Sequence, residues 1–153
     1  MFVRDLMRAE VPTAGPADRF ADLLRRQCDL ATRQLYVVDR DRRLLGIITG
    51  YDLLKLMIPD YLSPGLAHAA HPVDDHLLAQ RFRDNLGKTA EAIMTREYTA
   101  LSPGDTLIEA NAIIRERRFN ALPVVENEKL VGEVGRKDVL RHIAVQVCGL
   151  ALD

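Results

Sequence analysis

The chain has 153 residues, 48% of them hydrophobic, with 21 Lys and Arg against 22 Asp and Glu for a net charge of −1. That length fits one compact domain or two small halves sharing a core and excludes a large multidomain enzyme. The balanced charge gives no field for a phosphate backbone, and no apolar window nears the ~20 residues that span a bilayer, so no nucleic-acid or membrane partner is expected. MFVRD at the start does not read as a secretory signal, and a soluble, cytoplasmic protein is expected.

In chain order, a short extended segment precedes Pro16, and a helix then opens with Phe20, Leu23 and Leu24 at helical spacing. Two near-continuous apolar runs, Leu35 to Val38 and Leu44 to Thr49, flank the polar stretch DRDRR and predict a hairpin of buried strands. A helix bearing Leu53, Leu54, Leu56 and Met57 follows. Residues 59–89 carry Pro59, Ser63, Pro64 and Gly65, then a predicted helix from Asp74 to Leu86 that stops at Gly87. Beyond it, Ser102 is placed to cap a helix with Pro103 at its first position and Asp105 in its first turn, its apolar face being Leu107, Ala110, Ile113 and Ile114. Strands Leu122 to Val125 and Leu130 to Val134 flank ENEK, and a last helix presents Val139, Leu140, Ile143, Ala144 and Val147. Cys28 and Cys148 lie in apolar-periodic segments without a second thiol nearby, which predicts buried reduced thiols.

The second half repeats the first. Met7, Pro16, Asp18, Val37 and Val38 return as Met94, Pro103, Asp105, Val124 and Val125 at an offset of 87, and Gly46 and Asp52 as Gly132 and Asp138 at 86. The second hairpin tip is one residue shorter, ENEK against DRDRR. Each unit reads strand, helix, strand, strand, helix in under sixty residues, marginal for an independent core, so the halves should pack together. The expected organisation is 1–58 for the first unit, 59–89 for a linker with a helical insert, 90–149 for the second unit and 150–153 for a tail.

Catalytic motifs are missing. The only serines, Ser63 and Ser102, both precede prolines, and no GxSxG, GxGxxG or Gly-rich Lys loop occurs, so no enzyme is expected. His68, His71, Asp74, Asp75 and His76 bring ligand-type residues together, but Pro72 interrupts them, and a polar loop entering a helix is the expectation rather than a metal site.

The recurring segments resemble the paired cystathionine beta-synthase (CBS) domain, or Bateman module. They are VRDLM (Val3 to Met7) with AEAIM (Ala90 to Met94), LYVVD (Leu35 to Asp39) with ALPVVE (Ala121 to Glu126), and GIITGYD (Gly46 to Asp52) with GEVGRKD (Gly132 to Asp138). The resemblance implies an α+β fold of two units related by a pseudo-twofold axis and packed through their sheets. It also implies two clefts of the kind that in many members bind AMP, ADP, ATP or S-adenosylmethionine. The family pattern for such a cleft is a Thr or Ser three residues before an Asp that accepts from the ribose. Thr49 and Asp52 match it; in the second unit Asp138 is kept and Gly135 stands where the Thr would be.

By the same resemblance the Thr49 and Asp52 cleft takes its adenine wall from the other unit, near Tyr98, Thr99, Asn120, Ala121 and Pro123. The opposite cleft combines Asp138 and Arg136 with Val11, Thr13, Gln34 and Tyr36, and Arg33 stands where relatives carry a phosphate-contacting base. Without the resemblance, Asp52 and Asp138 read equally as helix N-caps, and Arg33 and Arg136 as surface charges. The resemblance implies a sensor of adenine nucleotides that signals by changing shape, the alternatives being a ligand-free interaction module and an S-adenosylmethionine sensor. A homodimer through the apolar helix faces, built on Leu53, Leu56, Met57, Val139, Ile143 and Val147, and an unidentified regulated protein complete the expected partners.

Overall fold

The computed structural model describes residues 1–29, 31–58, 75–117 and 119–152. Its first unit contains β1 (Thr13–Ala14), α1 (Phe20–Gln27), β2 (Leu35–Val38), β3 (Leu44–Ile48) and α2 (Gly50–Met57). β1 lies parallel to β2, and β2 antiparallel to β3, in a sheet of order β1-β2-β3. Next comes α3 (Asp75–Asn85), which ends two residues before Gly87; the expected start at Asp74 lies outside the described residues. α3 covers the end of α2: Arg81 Nε and Asn85 Nδ2 both donate to the Leu56 carbonyl, at 3.0 and 3.2 Å, and the Phe82 ring meets Phe20 at 5.8 Å.

The second unit repeats the order with α4 (Ala90–Ile93), α5 (Leu107–Arg117), β4 (Ala121–Glu126), β5 (Lys129–Gly135) and α6 (Arg136–His142), which runs on into a π-helical turn over Ile143–Val147. Here the leading strand shrinks to one parallel bridge between Leu101 and Val124. The β4–β5 tip places Asn127 and Glu128 at φ 51° and 66°, the twist a two-residue hairpin needs.

The cap expected at Ser102 lies elsewhere. Helix α5 opens four residues later, with Thr106 accepting from Glu109 N at 3.2 Å while the Glu109 carboxylate accepts from Thr106 N at 2.7 Å. Pro103 and Asp105 belong to a separate turn in which the Asp105 carboxylate accepts from Ser102 N at 2.7 Å, as Asp18 accepts from Gly15 N at 3.0 Å in the first unit. The repeated proline and aspartate are a turn motif, not a helix start.

Each unit lends its leading segment to the other. The single 3-10 turn Val3–Asp5 docks on the second unit, with Val3 N donating to Asp105 O (2.8 Å) and Arg4 N to Pro103 O (3.1 Å); α4 docks on the first, with Ala90 N donating to Asp18 O (2.8 Å) and Glu91 N to Pro16 O (3.0 Å). These pairs are related by the repeat. The segments then add a reciprocal bridge to the opposite hairpin, Arg8 with Glu133 and Thr95 with Ile47, each through two backbone hydrogen bonds of 2.9 to 3.0 Å. Accordingly Ala90 and Met94 are buried with Phe20, Leu23, Leu35, Val37, Ile48 and Leu53, and Val3 is buried with Leu101, Ala110, Ile114, Leu122, Val134 and Val139. A third cluster of Tyr36, Leu44, Ile47 and Leu130 joins the two sheets.

Two expectations change at this level. Cys28 and Cys148 are exposed free thiols, because each stands at the C-cap where its helix ends. Of the residues expected on a dimer face, Leu53 and Val139 are core, Leu56 and Met57 are half-buried, and Ile143 and Val147 are exposed; Tyr51, Leu54 and Leu140 are exposed beside them.

The crossing leaves no room at Gly46 or Gly132. A Cβ on Gly46 would lie 2.7 Å from Met94 Sδ and 2.9 Å from the Thr95 carbonyl, and one on Gly132 would lie 2.7 Å from the Arg8 carbonyl. Gly132→Ala is therefore expected to destabilise by about 1–3 kcal/mol in urea denaturation, while Gly104→Ala, which meets nothing within 4 Å, should stay within about 0.5 kcal/mol. Equal costs at the two positions would show that the crossing segment yields freely.

Candidate ligand-binding clefts

The first cleft starts from a strand end. Thr49 leaves β3 in an extended conformation (φ −104°, ψ 165°) and caps α2: Asp52 N donates to Thr49 Oγ1 at 3.3 Å, while Asp52 Oδ2 accepts from Thr49 N at 2.8 Å and Thr49 Oγ1 at 3.0 Å. The N-cap is therefore Thr49, and Asp52, read as a cap itself, is instead the third helical residue that closes the capping box through one oxygen. Among the described residues Oδ1 takes no hydrogen bond, so the carboxylate keeps an acceptor for something else.

Beside this cap opens a cavity of about 200 Å³. The first unit supplies Gln34, Ile47, Thr49 and Asp52; the second supplies Tyr98, Thr99, Ala121, Leu122 and Pro123 together with Thr95, Glu97 and Phe119. Tyr98 is fixed by donating from its hydroxyl to the Leu44 carbonyl at 2.8 Å, and burial pushes its phenol above the ordinary value. Among the described residues the lining has two carboxylates, Asp52 and Glu97, and no lysine or arginine. Lys55 and Lys88 line an adjoining depression that shares Asp52 and Thr95 with the cavity.

The second cleft is organised differently. Asp138 Oδ2 accepts from Gly135 N at 2.7 Å, so the helix-start half of the motif is kept, but both its oxygens also face Arg33, at 2.7 Å to Nη1 and 3.3 Å to Nη2. Glu133 is buried in β5, 1% exposed, with Arg33 and Arg8 each 3.7 Å from Oε1. Its Oε2 accepts from the Tyr36 hydroxyl at 2.6 Å, and Gln34 Nε2 donates to Tyr36 Oη (2.8 Å) and to the Ala121 carbonyl (3.0 Å). Burial, then the adjacent Glu133 carboxylate, holds the Tyr36 phenol far above its usual range. Burial alone would raise Asp138, but the hydrogen bond and charge of Arg33 and the Gly135 N–H prevail and hold it below the ordinary value; Arg33 is raised in turn by that hydrogen bond.

Of the residues expected around Thr49 and Asp52, the structure gathers Tyr98, Thr99, Ala121 and Pro123. Asn120 points elsewhere, accepting from Arg136 on the basic rim that Arg8, Arg33 and Lys137 also line. Gln34, assigned to the opposite cleft, reaches both. Thr13 pairs with Tyr36 in the sheet through its backbone, and its carbonyl accepts from Arg26. Sequence reasoning missed Glu97 and Phe119, which carry no motif, and the engagement of Asp138 by Arg33, whose signal was the coincidence of an arginine before β2 with a glycine at the cap. Among the described residues no three His, Cys, Asp or Glu gather as a metal site; His68, His71 and Asp74 lie outside them. Nor is any described helix long and apolar enough to cross a membrane.

Comparison with known proteins agrees with this architecture. A family model described as "CBS domain" matches residues 3–59 and 90–145. An uncharacterized protein of Methanocaldococcus jannaschii is 31% identical over 143 residues, 93% of this chain and 47% of its own length, so the chain spans about half of that curated relative. The crystal structure of the CBS-pair protein CBSX2 from Arabidopsis thaliana is similar at a TM-score of 0.78 and 25% identity over 98% of each chain. A structure of CBSX2 in complex with AMP is similar at 0.72 and 26%, over 96% of this chain and 98% of that one.

The Asp138 pair has a pH signature. A carboxylate whose folded pKa is depressed contributes stability above its ordinary value of 3.8 and loses it as pH falls through the lower folded value. Urea stability measured from pH 5 downward should fall more steeply in the parent than in Asp138→Asn; parallel curves would mean that the pair contributes no charge linkage.

Proposed function

This chain belongs to the CBS domain family, and from that premise we propose that it is a regulatory module that binds an adenine nucleotide in the Thr49 and Asp52 cleft and signals occupancy through the relative placement of its units. The observation that carries the reading is the cavity between the units, where an apolar wall from the second unit faces a carboxylate of the first with one oxygen unspent. A planar base fits between Ile47, Tyr98, Ala121 and Pro123, and the ribose hydroxyls donate to Asp52 Oδ1. The phosphates leave toward Lys55 and Lys88, which line the adjoining depression. CBSX2, whose AMP complex is 26% identical to this chain, supports the ligand class.

A ligand held by both units favours whichever placement lets both contact it, and so shifts the population of placements. That is a sensing role rather than catalysis, and the regulated protein is a further partner. One feature favours a second ligand. The two carboxylates of the described lining, Asp52 and Glu97, suit the positive end of S-adenosylmethionine better than a phosphate.

Melting the protein against AMP, ADP, ATP and S-adenosylmethionine separates these readings, since a ligand at ~100 times its Kd adds about 2.7 kcal/mol. The nucleotides should raise Tm by several degrees; a rise with S-adenosylmethionine alone selects the second ligand, and flat melts select a ligand-free interaction module. Asp52→Ala should weaken AMP binding at least about tenfold by calorimetry. Its lost cap costs about 1 kcal/mol of stability, which is measured without ligand as a control.

The proposal extends to assembly. Leu54 on α2 and Leu140 and Val147 at the second unit's end are 56%, 64% and 66% exposed, apolar surface on the closing helices that a homodimer would cover. Light scattering at micromolar concentration should give a dimer, and Leu140→Glu, remote from the core, should give a folded monomer. A monomeric parent overturns the assembly.

A further inference from the structure

We propose that Arg33 is the resident occupant of the second cleft, its guanidinium standing where a ligand's hydroxyls would meet Asp138, and that Gly135 is the residue that admits it. This rests on the proposed function only in treating the two clefts as counterparts. The first support is direct geometry: two nitrogens of one guanidinium reach the two oxygens of Asp138 at 2.7 and 3.3 Å, and Nη1 also stands 3.7 Å from Glu133. An arginine fork of this kind spends both acceptors of the carboxylate. Asp52, its counterpart, keeps one.

The second support is steric. A Cβ on Gly135 would lie 2.2 Å from Arg33 Nη1 and 2.9 Å from Cζ, so any side chain at the cap position collides with the guanidinium where it stands. Thr49, the repeat-related residue, carries such a side chain. The loss of threonine is therefore not a weakened ligand motif standing alone; it is the other half of the arginine.

The third support is that repeat-related positions change in one sense. Where the second cleft has Arg33, Gln34, Tyr36, Glu133 and Gly135, the first has Asn120, Ala121, Pro123, Ile47 and Thr49. In the first cleft, short or apolar side chains leave the cavity open. In the second, the long polar ones close on each other, from Gln34 to Tyr36 to Glu133 to Arg33 to Asp138. Asn120, in Arg33's place, is too short to span to Asp52 and is turned to Arg136 instead. Asp52 is thus left open to a ligand while Asp138 is occupied by the chain's own Arg33, a latch across the module beside the basic depression that Arg33 lines with Arg8, Arg136 and Lys137.

A cycle of substitutions tests this without any ligand. Gly135→Thr in the parent should lower Tm by about 4 °C or more, because Arg33 must abandon Asp138. In the Arg33→Ala background the same substitution should cost little or raise Tm, since the threonine can then complete the cap that Thr49 completes in α2, after the Asn120 carbonyl yields by a few tenths of an ångström. An equal loss in both backgrounds overturns the proposal. Arg33→Lys, which removes the fork and keeps the charge, replaces Arg33→Ala if that variant does not fold, with the same two outcomes. Calorimetry with AMP adds a second readout: one molecule per parent chain supports the proposal, and two per chain overturns it. A parent that binds no AMP at all overturns the proposed function instead, and the cycle still decides whether Arg33 fills the cleft.

Discussion

Everything in this module depends on the reciprocal loan of the leading segments. Each unit is too small to bury a core, and each completes its core with residues that precede the other's hairpin: Val3 in one, Ala90 and Met94 in the other. The backbone hydrogen bonds that hold the loan are related by the repeat, so the pseudo-twofold relation is enforced by paired donors and acceptors as well as by apolar contact. Close approach is the condition. Gly46 and Gly132 lie under the crossing chains with no space for a methyl group, which explains why the repeat keeps a glycine at both positions.

The clefts follow from that crossing. Ile47 and Thr95, which bridge one unit to the other, both line the first cavity, and their counterparts Glu133 and Arg8 form part of the second cleft. Any molecule in the first cleft therefore touches the same residues that join the units. The two crossings share a backbone pattern and differ in side chains, one apolar and open, the other ionic and filled. On the proposed reading such a module divides its labour, one side taking a ligand while the other holds the halves together. Buried ion pairs are weak evidence for net stability, so the value of the Arg33, Asp138 and Glu133 group lies in fixing how the units meet.

Much of this was legible in the sequence because it is written twice. Apolar runs flanking DRDRR and ENEK located both hairpins to within a residue, and the apolar residues after each hairpin located the helix that follows it. The cross-unit wall of the first cavity, with Tyr98, Thr99, Ala121 and Pro123, came from family likeness and not from any local signal. What was not legible depends on contacts distant in the chain. The start of α5 shifted because proline and aspartate suit a turn as well as a helix, and the choice lies with Thr106 and Glu109. The cysteines were misjudged because periodicity does not reveal that a helix stops just before them. Glu133, a charge inside an apolar strand, has partners that no local pattern announces, because Tyr36, Arg33 and Arg8 all come from the other unit.

The clearance at Gly135 carries a historical consequence. If the two halves descend from one duplicated unit, the steps that brought Arg33 to Asp138 had a favoured order. An arginine arriving at position 33 before position 135 lost its side chain would have met that side chain in its path, whereas glycine first costs only a helix cap, about 1 kcal/mol. Reversal is harder than arrival. Threonine returns only if Arg33 leaves Asp138, and losing Arg33 first takes from Asp138 its ion-pair partner and leaves Glu133 with Arg8 alone. On the assignment of Arg33 to the second cleft, positions 33 and 135 are tied together, and a change at either is felt at the other.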